Sequence, residues 1–214
     1  MNLPNKITLT RIFLIPVFVA VFFLTVIPYN YFIAGIIFIV ASCTDFIDGH
    51  IARKYNLVTN LGKFLDPIAD KVLVSSALVC MLVKPEILQV MWGGEWVMIV
   101  SGICVAIILA RELIVSGFRM VAASTGLVLA ADKVGKVKTT FQDISIAVLL
   151  IGANFFGIAA ASEVLNAIGL VCLAIATVLT VWSGMGYIVR NRRVFSVPAE
   201  KKQGEETQDN PDEK

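Results

Sequence analysis

The sequence has few of the residues that bind soft metals or act in histidine-dependent catalysis. Its only histidine is His50, and its four cysteines stand singly within apolar runs, without a CxxC pair. Single cysteines in apolar surroundings are typical of small buried side chains, so neither a disulfide framework nor a zinc site is predicted. A catalytic site that needs two histidines is excluded.

Charged residues are scarce as well. They make up 16% of the 214 residues, whereas hydrophobic residues make up 57%. A typical soluble domain has roughly 25% charged residues. Several apolar runs approach the ~20 residues that a helix needs to cross a bilayer. The composition therefore predicts an all-α, polytopic membrane protein.

Six transmembrane helices are predicted, at residues 8–27, 31–53, 62–83, 94–120, 136–158 and 162–189. The lysines and arginines test their orientation, because basic residues concentrate on the cytoplasmic side of a membrane. If the N-terminus is cytoplasmic, Lys84 is the only one of the 18 basic residues that falls outside the inner segments and the inner halves of the spans. Both termini are therefore expected in the cytoplasm.

The two ends of the chain differ from the apolar spans. Residues 2–11 are too polar to begin in hydrocarbon, so a short N-terminal amphipathic segment is predicted on the membrane surface. Residues 195–214 carry six acids against three lysines, and such a segment cannot bury enough apolar surface to fold. We expect a membrane domain over residues 1–193 and a disordered acidic cytoplasmic tail over residues 194–214.

Four aspartates lie within the predicted spans. Asp45 and Asp48 are three residues apart near the inner end of the second span, and Asp66 and Asp70 are four apart near the inner start of the third. These spacings place each pair on one helix face. Four carboxylates at one depth need neutralising cations. Oxygen ligands without histidine or cysteine favour hard ions such as Mg²⁺ or Mn²⁺, and two such ions could bridge the pairs.

A purely structural interpretation is that nearby basic residues neutralise the aspartates in ion pairs; the candidates are Arg53, Lys54 and Lys71. Small residues on the same helix faces favour the metal site instead. Gly49 and Ala52 follow Asp45 by four and seven residues, and Gly62 precedes Asp66 by four. Such residues let a bulky ligand approach, although close helix packing alone would explain them about equally well. The combination favours the metal site.

The segment that carries the aspartates resembles the signature of the CDP-alcohol phosphotransferases. That signature reads D-x2-D-G-x2-A-R-x8-G-x3-D-x3-D, and every specified position matches between Asp45 and Asp70. Eight fixed positions at fixed spacing make this a specific signal. The resemblance implies the six-helix fold of that family over residues 1–193.

The resemblance also implies a role for each residue. Asp45, Asp48 and Asp66 would be metal ligands, and Asp70 would both reach a metal ion and act as the general base. Room for the cytidine nucleotide is expected at Gly49, Ala52 and Gly62. Arg53 would lie near the nucleotide or its phosphates, and an N-terminal segment with Asn5 and Thr8 would close over the nucleotide.

A second group of charges bears on the acceptor alcohol. Arg111 and Arg119 are eight residues apart, close to the same helix face, and Lys136 and Lys138 begin the fifth span. Cations beside a metal–carboxylate site suit a phosphate-bearing acceptor. Snorkelling to lipid headgroups would explain the two lysines as well, but it explains Arg111 poorly, because that residue lies well inside its span. Glu112 would pair with Arg111 or orient it.

Three blocks, at residues 111–119, 135–142 and 178–183, resemble the bacterial phosphatidylglycerophosphate synthases, a branch of the same family. This resemblance implies transfer of the phosphatidyl group from CDP-diacylglycerol to sn-glycerol 3-phosphate, with release of CMP, in phospholipid biosynthesis. It also implies a bacterial cytoplasmic membrane enzyme whose site faces the cytoplasm. The family commonly forms homodimers. No nucleic acid partner is expected.

Two alternatives remain open from the sequence. The first is a transferase of the same family with another acceptor, such as inositol phosphate, serine or phosphatidylglycerol. The second is a cation transporter that uses the aspartates as its ion path. Transporters often show broken helices and internal repeats, and neither is evident in the sequence.

Overall fold

The computed structural model describes the backbone of residues 3–54, 60–88, 94–124, 133–153 and 155–190. Within these ranges the side chains of residues 3–7, 45–54, 60–64, 66–67, 123–124, 133 and 188 are not described. The described residues form seven helices and no strand: α1 Leu3–Phe23, α2 Asn30–Lys54, α3 Asn60–Val83, α4 Pro85–Leu88, α5 Gly94–Ser124, α6 Lys133–Gly152 and α7 Ala159–Arg190. The all-α prediction is confirmed for this part of the chain.

Two helices contain segments that are long and apolar enough to cross a membrane. Gly94–Ala122 has a mean hydropathy of 2.3, and Ala159–Tyr187 has a mean hydropathy of 2.4. Only 17% and 33% of their most apolar windows are buried inside the protein, so most of their apolar side chains face outward, unlike those of a core helix in a soluble protein. The apolar parts of α1 and α2, Thr8–Phe23 and Asn30–Thr44, are shorter. These helices indicate a membrane protein.

Two helix boundaries differ from the sequence predictions, one at the start of α1 and one at the end of α6. α1 is continuous from Leu3 to Phe23, so the N-terminal segment that was predicted as a separate amphipathic element belongs to the first long helix. The fifth span was predicted to reach residue 158, but α6 ends at Gly152. A turn with a positive φ at Phe156 (49°) and Gly157 (75°) then leads into α7.

Glycines allow α6 and α7 to pack closely along their length. A Cβ atom at Gly169 would lie 2.6 Å from Leu149 Cγ, and one at Gly152 would lie 2.7 Å from Asn166 Oδ1. The buried Ser145 hydroxyl donates a hydrogen bond to the Gly169 carbonyl oxygen at 2.8 Å. α7 also packs against α5. α7 therefore contacts both α5 and α6.

A large apolar core joins α1, α2, α3 and α6. The side chains of Phe18, Phe22 and Phe38 are almost completely buried in it. Their ring centroids lie 6.1 Å apart for Phe18 and Phe22, and 6.4 Å apart for Phe18 and Phe38. A separate small cluster between α5 and α7 consists of Val115, Phe118, Ala122 and Tyr187. This second cluster packs beside the polar cleft described below.

The short helix α4 had not been predicted, and a hydrogen bond ties it to α2. Tyr31 Oη donates to Glu86 Oε1 at 2.7 Å, and this bond is the main reason why the pKa of the Glu86 carboxyl lies below its usual value. A lowered pKa means that folding favours the ionised carboxylate. This contribution to stability is therefore present above the ordinary glutamate pKa and is lost as the pH falls through the lowered value.

One expectation about individual side chains needs correction. The four cysteines were predicted to be buried, yet Cys80 alone is buried and Cys43 is exposed, while the other two are intermediate. All four are free thiols, which agrees with the prediction of no disulfide. Arg11, one of the basic residues expected on the inner side of the membrane, has a side chain that is 1% exposed, so it packs inside the protein.

Candidate active site

The last aspartate of the signature lies where α3 meets α5. Asp70 is partly buried, and the next residue, Lys71, donates a hydrogen bond from Nζ to Ser116 Oγ of α5. Ser116 Oγ in turn contacts the carbonyl oxygen of Glu112. This chain of contacts fixes the axial position of α3 against α5, and it brings Asp70 to the same level as the charged residues of α5.

Arg111 of α5 lies across the surface of α7. Its Nη2 donates to Ser183 Oγ at 3.0 Å, and Nη1 lies 3.4 Å from Glu112 Oε1. Gly184 gives the arginine its space, because a Cβ atom there would be 3.0 Å from Arg111 Cγ. Arg111 Nε is buried and has no hydrogen-bond partner among the described residues. The guanidinium group is thus held through Nη1 and Nη2, while Nε packs without a partner.

Glu112 joins α5 to α6 through Lys138. Lys138 Nζ forms an ion pair and hydrogen bond with Glu112 Oε1, and the lysine side chain is 3% exposed. The alternative interpretation, that Lys138 extends to the lipid headgroups, is therefore wrong. Lys136 lies half a turn earlier on α6 and is exposed, as is Arg119 of α5. The prediction that Glu112 pairs with Arg111 is confirmed, and Lys138 is its second partner.

These residues surround one polar cleft between α3, α5, α6 and the end of α7, which we call the charged cleft. It has a volume of about 280 Å³ and opens to solvent, and it is lined by Asp70, Lys71, Arg111, Glu112, Val115, Arg119, Gly135, Lys136, Lys138, Thr139 and Tyr187. Five of these side chains are cationic and two are carboxylates. The cleft therefore attracts anions, and it places an aspartate of the signature beside all four cations that the sequence singled out.

The other aspartates are described by their backbone alone. Asp45 and Asp48 lie within α2, and Asp66 lies within α3, so the predicted helical spacings of three and four residues are present. The side chains of these three residues are outside the described set, as are those of Asn5, Gly49, Ala52, Arg53 and Gly62. Thr8, the remaining nucleotide candidate, is described and is almost fully buried in α1.

One carboxylate of the aspartate signature, that of Asp70, is described at this site, and hard divalent ions prefer carboxylate oxygens. No group of three or more histidine, cysteine, aspartate or glutamate side chains occurs among the described residues, and three of the four signature aspartates are not among them. The family to which the signature points generally uses a divalent metal ion.

Several residues of the charged cleft were not predicted from the sequence. Tyr187 lines it without a motif that would identify it, and Thr139 lies in the block at residues 135–142, from which no role for this threonine is predicted. Ser183 holds Arg111, and its block at residues 178–183 had been recognised without a role for the serine. Lys71 had been considered only as a neutralising partner for the aspartates. The pairing of residues on different helices was the information that the sequence lacked.

Comparison with known proteins identifies the family of the chain. The profile of the CDP-alcohol phosphatidyltransferase family matches residues 1–182. A Bacillus subtilis protein named CDP-diacylglycerol–glycerol-3-phosphate 3-phosphatidyltransferase is 45% identical over 161 residues, which cover 70% of this chain and 77% of the relative. Proteins of the same name from Rickettsia bellii and Shigella flexneri are 37% and 39% identical. They cover 91% and 87% of this chain, and 97% and 93% of their own lengths.

The profile spans most of the chain and includes both the aspartate signature and the cations of α5 and α6. The relatives align over nearly their whole lengths, so the similarity is not confined to one motif. On this evidence the chain belongs to the CDP-alcohol phosphatidyltransferase family.

Proposed function

We propose that this protein transfers the phosphatidyl group of CDP-diacylglycerol to sn-glycerol 3-phosphate, giving phosphatidylglycerophosphate and CMP in phospholipid biosynthesis. The observation that carries the proposal is the charged cleft, in which Asp70 lies beside Arg111, Arg119 and Lys136. A cationic cleft next to the signature aspartate suits an acceptor that bears a phosphate. The names of the relatives support the same donor and acceptor.

Three cations are positioned to receive the acceptor phosphate. Arg119 and Lys136 are exposed at the cleft, so their charges are available to an anion from solution. Arg111 also lines the cleft, where Ser183 and Glu112 hold its guanidinium group. Lys138 lies deeper and is paired with Glu112. In our proposal it completes the wall of the phosphate site and shares its charge between Glu112 and the acceptor.

Asp70 is the group that we assign to proton transfer. It takes the proton from the 1-hydroxyl of glycerol 3-phosphate, and the hydroxyl oxygen then bonds to the phosphorus that carries diacylglycerol. The bond between that phosphorus and the CMP oxygen breaks, and CMP leaves. The charged cleft contributes by holding the hydroxyl and the aspartate in contact, since positioning lowers the barrier of a two-substrate reaction.

The donor side involves residues whose side chains lie outside the described set. We propose that Asp45, Asp48, Asp66 and Asp70 hold divalent ions, two of Mg²⁺ or Mn²⁺. When bound, these ions supply positive charge next to the pyrophosphate of CDP-diacylglycerol. Contacts to the nucleotide are assigned to Asn5, Thr8, Gly49, Ala52, Arg53 and Gly62. These assignments rest on the signature and on the helical placement of the four aspartates.

The membrane arrangement is a proposal of the same kind. Six spans correspond to α1, α2, α3, α5, α6 and α7, all longer than 18 residues, and residues 194–214 form a cytoplasmic tail. The basic residues favour cytoplasmic termini and a cleft that opens to the cytoplasm. Because the relatives are bacterial, we place the protein in the bacterial cytoplasmic membrane among its lipids. A homodimer stays a prediction.

Product analysis tests this function. The purified protein is incubated with CDP-diacylglycerol, Mg²⁺ and one acceptor at a time: glycerol 3-phosphate, inositol phosphate, serine or phosphatidylglycerol. Lipids are then extracted and identified by mass. We expect phosphatidylglycerophosphate from glycerol 3-phosphate and no lipid product from the neutral acceptor serine. A dominant product from another acceptor would keep the family and change the substrate.

A further inference from the structure

A smaller pocket continues the charged cleft into the helix bundle, and we call it the inner pocket. Its cavity volume is about 30 Å³, room for one water-sized group such as a hydroxyl. It shares Asp70, Glu112 and Lys138 with the cleft, while Ser75, Leu109 and Gln142 line the inner pocket alone. Glu112 and Lys138, which form an ion pair, lie at the boundary between the two spaces.

The helix register shows in which direction the inner pocket extends. Gln142 follows Lys138 by four residues on α6, and Leu109 precedes Glu112 by three on α5. Lys136 and Arg119, which line only the charged cleft, lie in the opposite direction along the same two helices. At 1.5 Å per residue, the inner pocket reaches about one helical turn, or ~6 Å, further from the solvent-facing cations.

Gln142 and Ser75 are the polar residues that line the inner pocket alone, and Gln142 is the one with an unpaired atom. Its side chain is 2% exposed, and Oε1 is buried without a hydrogen-bond partner among the described residues. Buried amide oxygens in folded proteins nearly always have a partner. An unpaired one on a residue that lines a pocket therefore points to a ligand group or a water molecule as the missing partner. The inner pocket is adjacent to Asp70, where the proposed function places the reacting hydroxyl.

We propose that Gln142 recognises the secondary hydroxyl of the acceptor and thereby makes the enzyme specific for glycerol 3-phosphate; this inference rests on the proposed function. The acceptor phosphate lies at Arg119 and Lys136, and its 1-hydroxyl lies at Asp70. The neighbouring carbon is then at the boundary with the inner pocket. Its 2-hydroxyl donates a hydrogen bond to Gln142 Oε1.

This arrangement has a consequence for specificity. A pocket that hydrogen-bonds a substrate hydroxyl rejects an analogue without that hydroxyl, because the buried polar atom of the protein is then left unpaired. Alcohols that carry a phosphate but no second hydroxyl would fill the charged cleft and still react slowly. A water molecule that satisfies Gln142 permanently would produce no such discrimination.

The test compares two acceptors that differ by one hydroxyl. The full-length protein in detergent with Mg²⁺ and CDP-diacylglycerol is given either sn-glycerol 3-phosphate or 3-hydroxypropyl phosphate. We expect kcat/KM to favour glycerol 3-phosphate by at least about tenfold. In Gln142→Met, which keeps the side-chain length without an acceptor oxygen, this preference should fall to near unity through loss of activity towards glycerol 3-phosphate.

Two further variants separate recognition from structural damage. Gln142→Glu keeps an acceptor oxygen at the same reach, so its preference for glycerol 3-phosphate should stay at about tenfold or more even if both rates fall. Ser145→Ala removes a buried hydrogen bond to α7 on the same helix, away from the cleft. It should leave the acceptor preference unchanged, whatever it does to the melting temperature.

Several outcomes would overturn the proposed role of Gln142. Equal use of both acceptors by the unaltered protein would overturn it, as would an undiminished preference in Gln142→Met. If Gln142→Met does not fold, loss of the preference in Gln142→Glu would overturn it. Absence of transfer to either acceptor in the unaltered protein would instead count against the proposed function.

Discussion

Lys138 of α6 and Glu112 of α5 form an ion pair in which the lysine side chain is 3% exposed and the glutamate 22%. The same carboxylate lies 3.4 Å from Arg111 Nη1. A buried lysine needs a nearby carboxylate, because removing an ammonium group from water is costly. Glu112 therefore organises the cations of the charged cleft, and its loss should affect more than one of them.

A double-mutant cycle on this pair tests that role. Glu112→Gln leaves Lys138 buried without its counter-ion, and breaking a buried pair typically costs about 3–5 kcal/mol. Lys138→Met removes the other charge. We expect each single variant to lower the melting temperature in detergent. The double variant should be more stable than the sum of the single effects predicts, with a coupling of about 0.5–3 kcal/mol. Strict additivity would show that the pair does not stabilise the protein.

The pair also illustrates what the sequence could predict and what it could not. Spacings within a helix follow from 3.6 residues per turn, so the aspartate pairs and the cations of α5 and α6 could be assigned to helix faces in advance. The contact between Glu112 and Lys138 depends on how α5 and α6 are rotated and shifted against each other. No periodic pattern in either helix determines that relation, and Gln142 was missed for the same reason.

Helix ends were harder to predict where apolar composition continues beyond the helix. Residues 153–158 are nearly as apolar as the end of α6, so the predicted span ran through them. The chain turns there through a positive φ at Phe156 and Gly157, and the Phe156 ring packs 5.0 Å from that of Phe32. The aromatic residues here pack against α2 and do not continue the helix. A hydropathy pattern cannot distinguish these two structures, because both contain apolar residues.

Replacing Arg119 should weaken acceptor binding selectively. Arg119→Ala removes an exposed cation at the mouth of the charged cleft, and a hydrogen bond to a charged group is worth about 1.5–3 kcal/mol. We expect the KM for glycerol 3-phosphate to rise by about ten- to a hundredfold, while the KM for CDP-diacylglycerol changes little. Steady-state kinetics with each substrate varied in turn measures both.

Lys84 offers a matched control for that variant. It lies beyond the far end of α3 and only approaches Glu86, at 4.0 Å, in a partly exposed pair. Ion pairs near the surface contribute little to stability. Lys84→Ala also removes one positive charge but should leave both KM values unchanged. Equal rises in the two KM values of Arg119→Ala would contradict an acceptor-phosphate role.

Removing the negative charge of Asp70 should stop phosphatidyl transfer while nucleotide binding is retained. Asp70→Asn keeps the size of the side chain but cannot accept the proton of the acceptor hydroxyl. Loss of a general base typically costs about 10²–10⁴ in rate. We expect the rate of phosphatidyl transfer to fall at least that far, while the variant still binds CMP or CDP-diacylglycerol in a calorimetric titration. Full activity in Asp70→Asn would remove the assignment of the base.

Close packing of α6 on α7 predicts unequal effects of two glycine substitutions. Gly169→Ala would place a Cβ atom 2.6 Å from Leu149 Cγ, and such overpacking typically costs about 1–3 kcal/mol. Gly102→Ala on α5 meets no atom within 4 Å, and alanine favours helix over glycine by about 1 kcal/mol. Melting in detergent should show a lower midpoint for Gly169→Ala only. A lower midpoint for both would contradict the packing argument.

The most direct test of the proposed function is the dependence of CMP release on the acceptor. Purified protein with CDP-diacylglycerol and Mg²⁺ is assayed for CMP with and without sn-glycerol 3-phosphate. We predict that CMP appears only when glycerol 3-phosphate is present, in equal amount to the phosphatidylglycerophosphate formed. CMP release at the same rate without glycerol 3-phosphate, or no release with it, would contradict the assignment of the charged cleft to this acceptor.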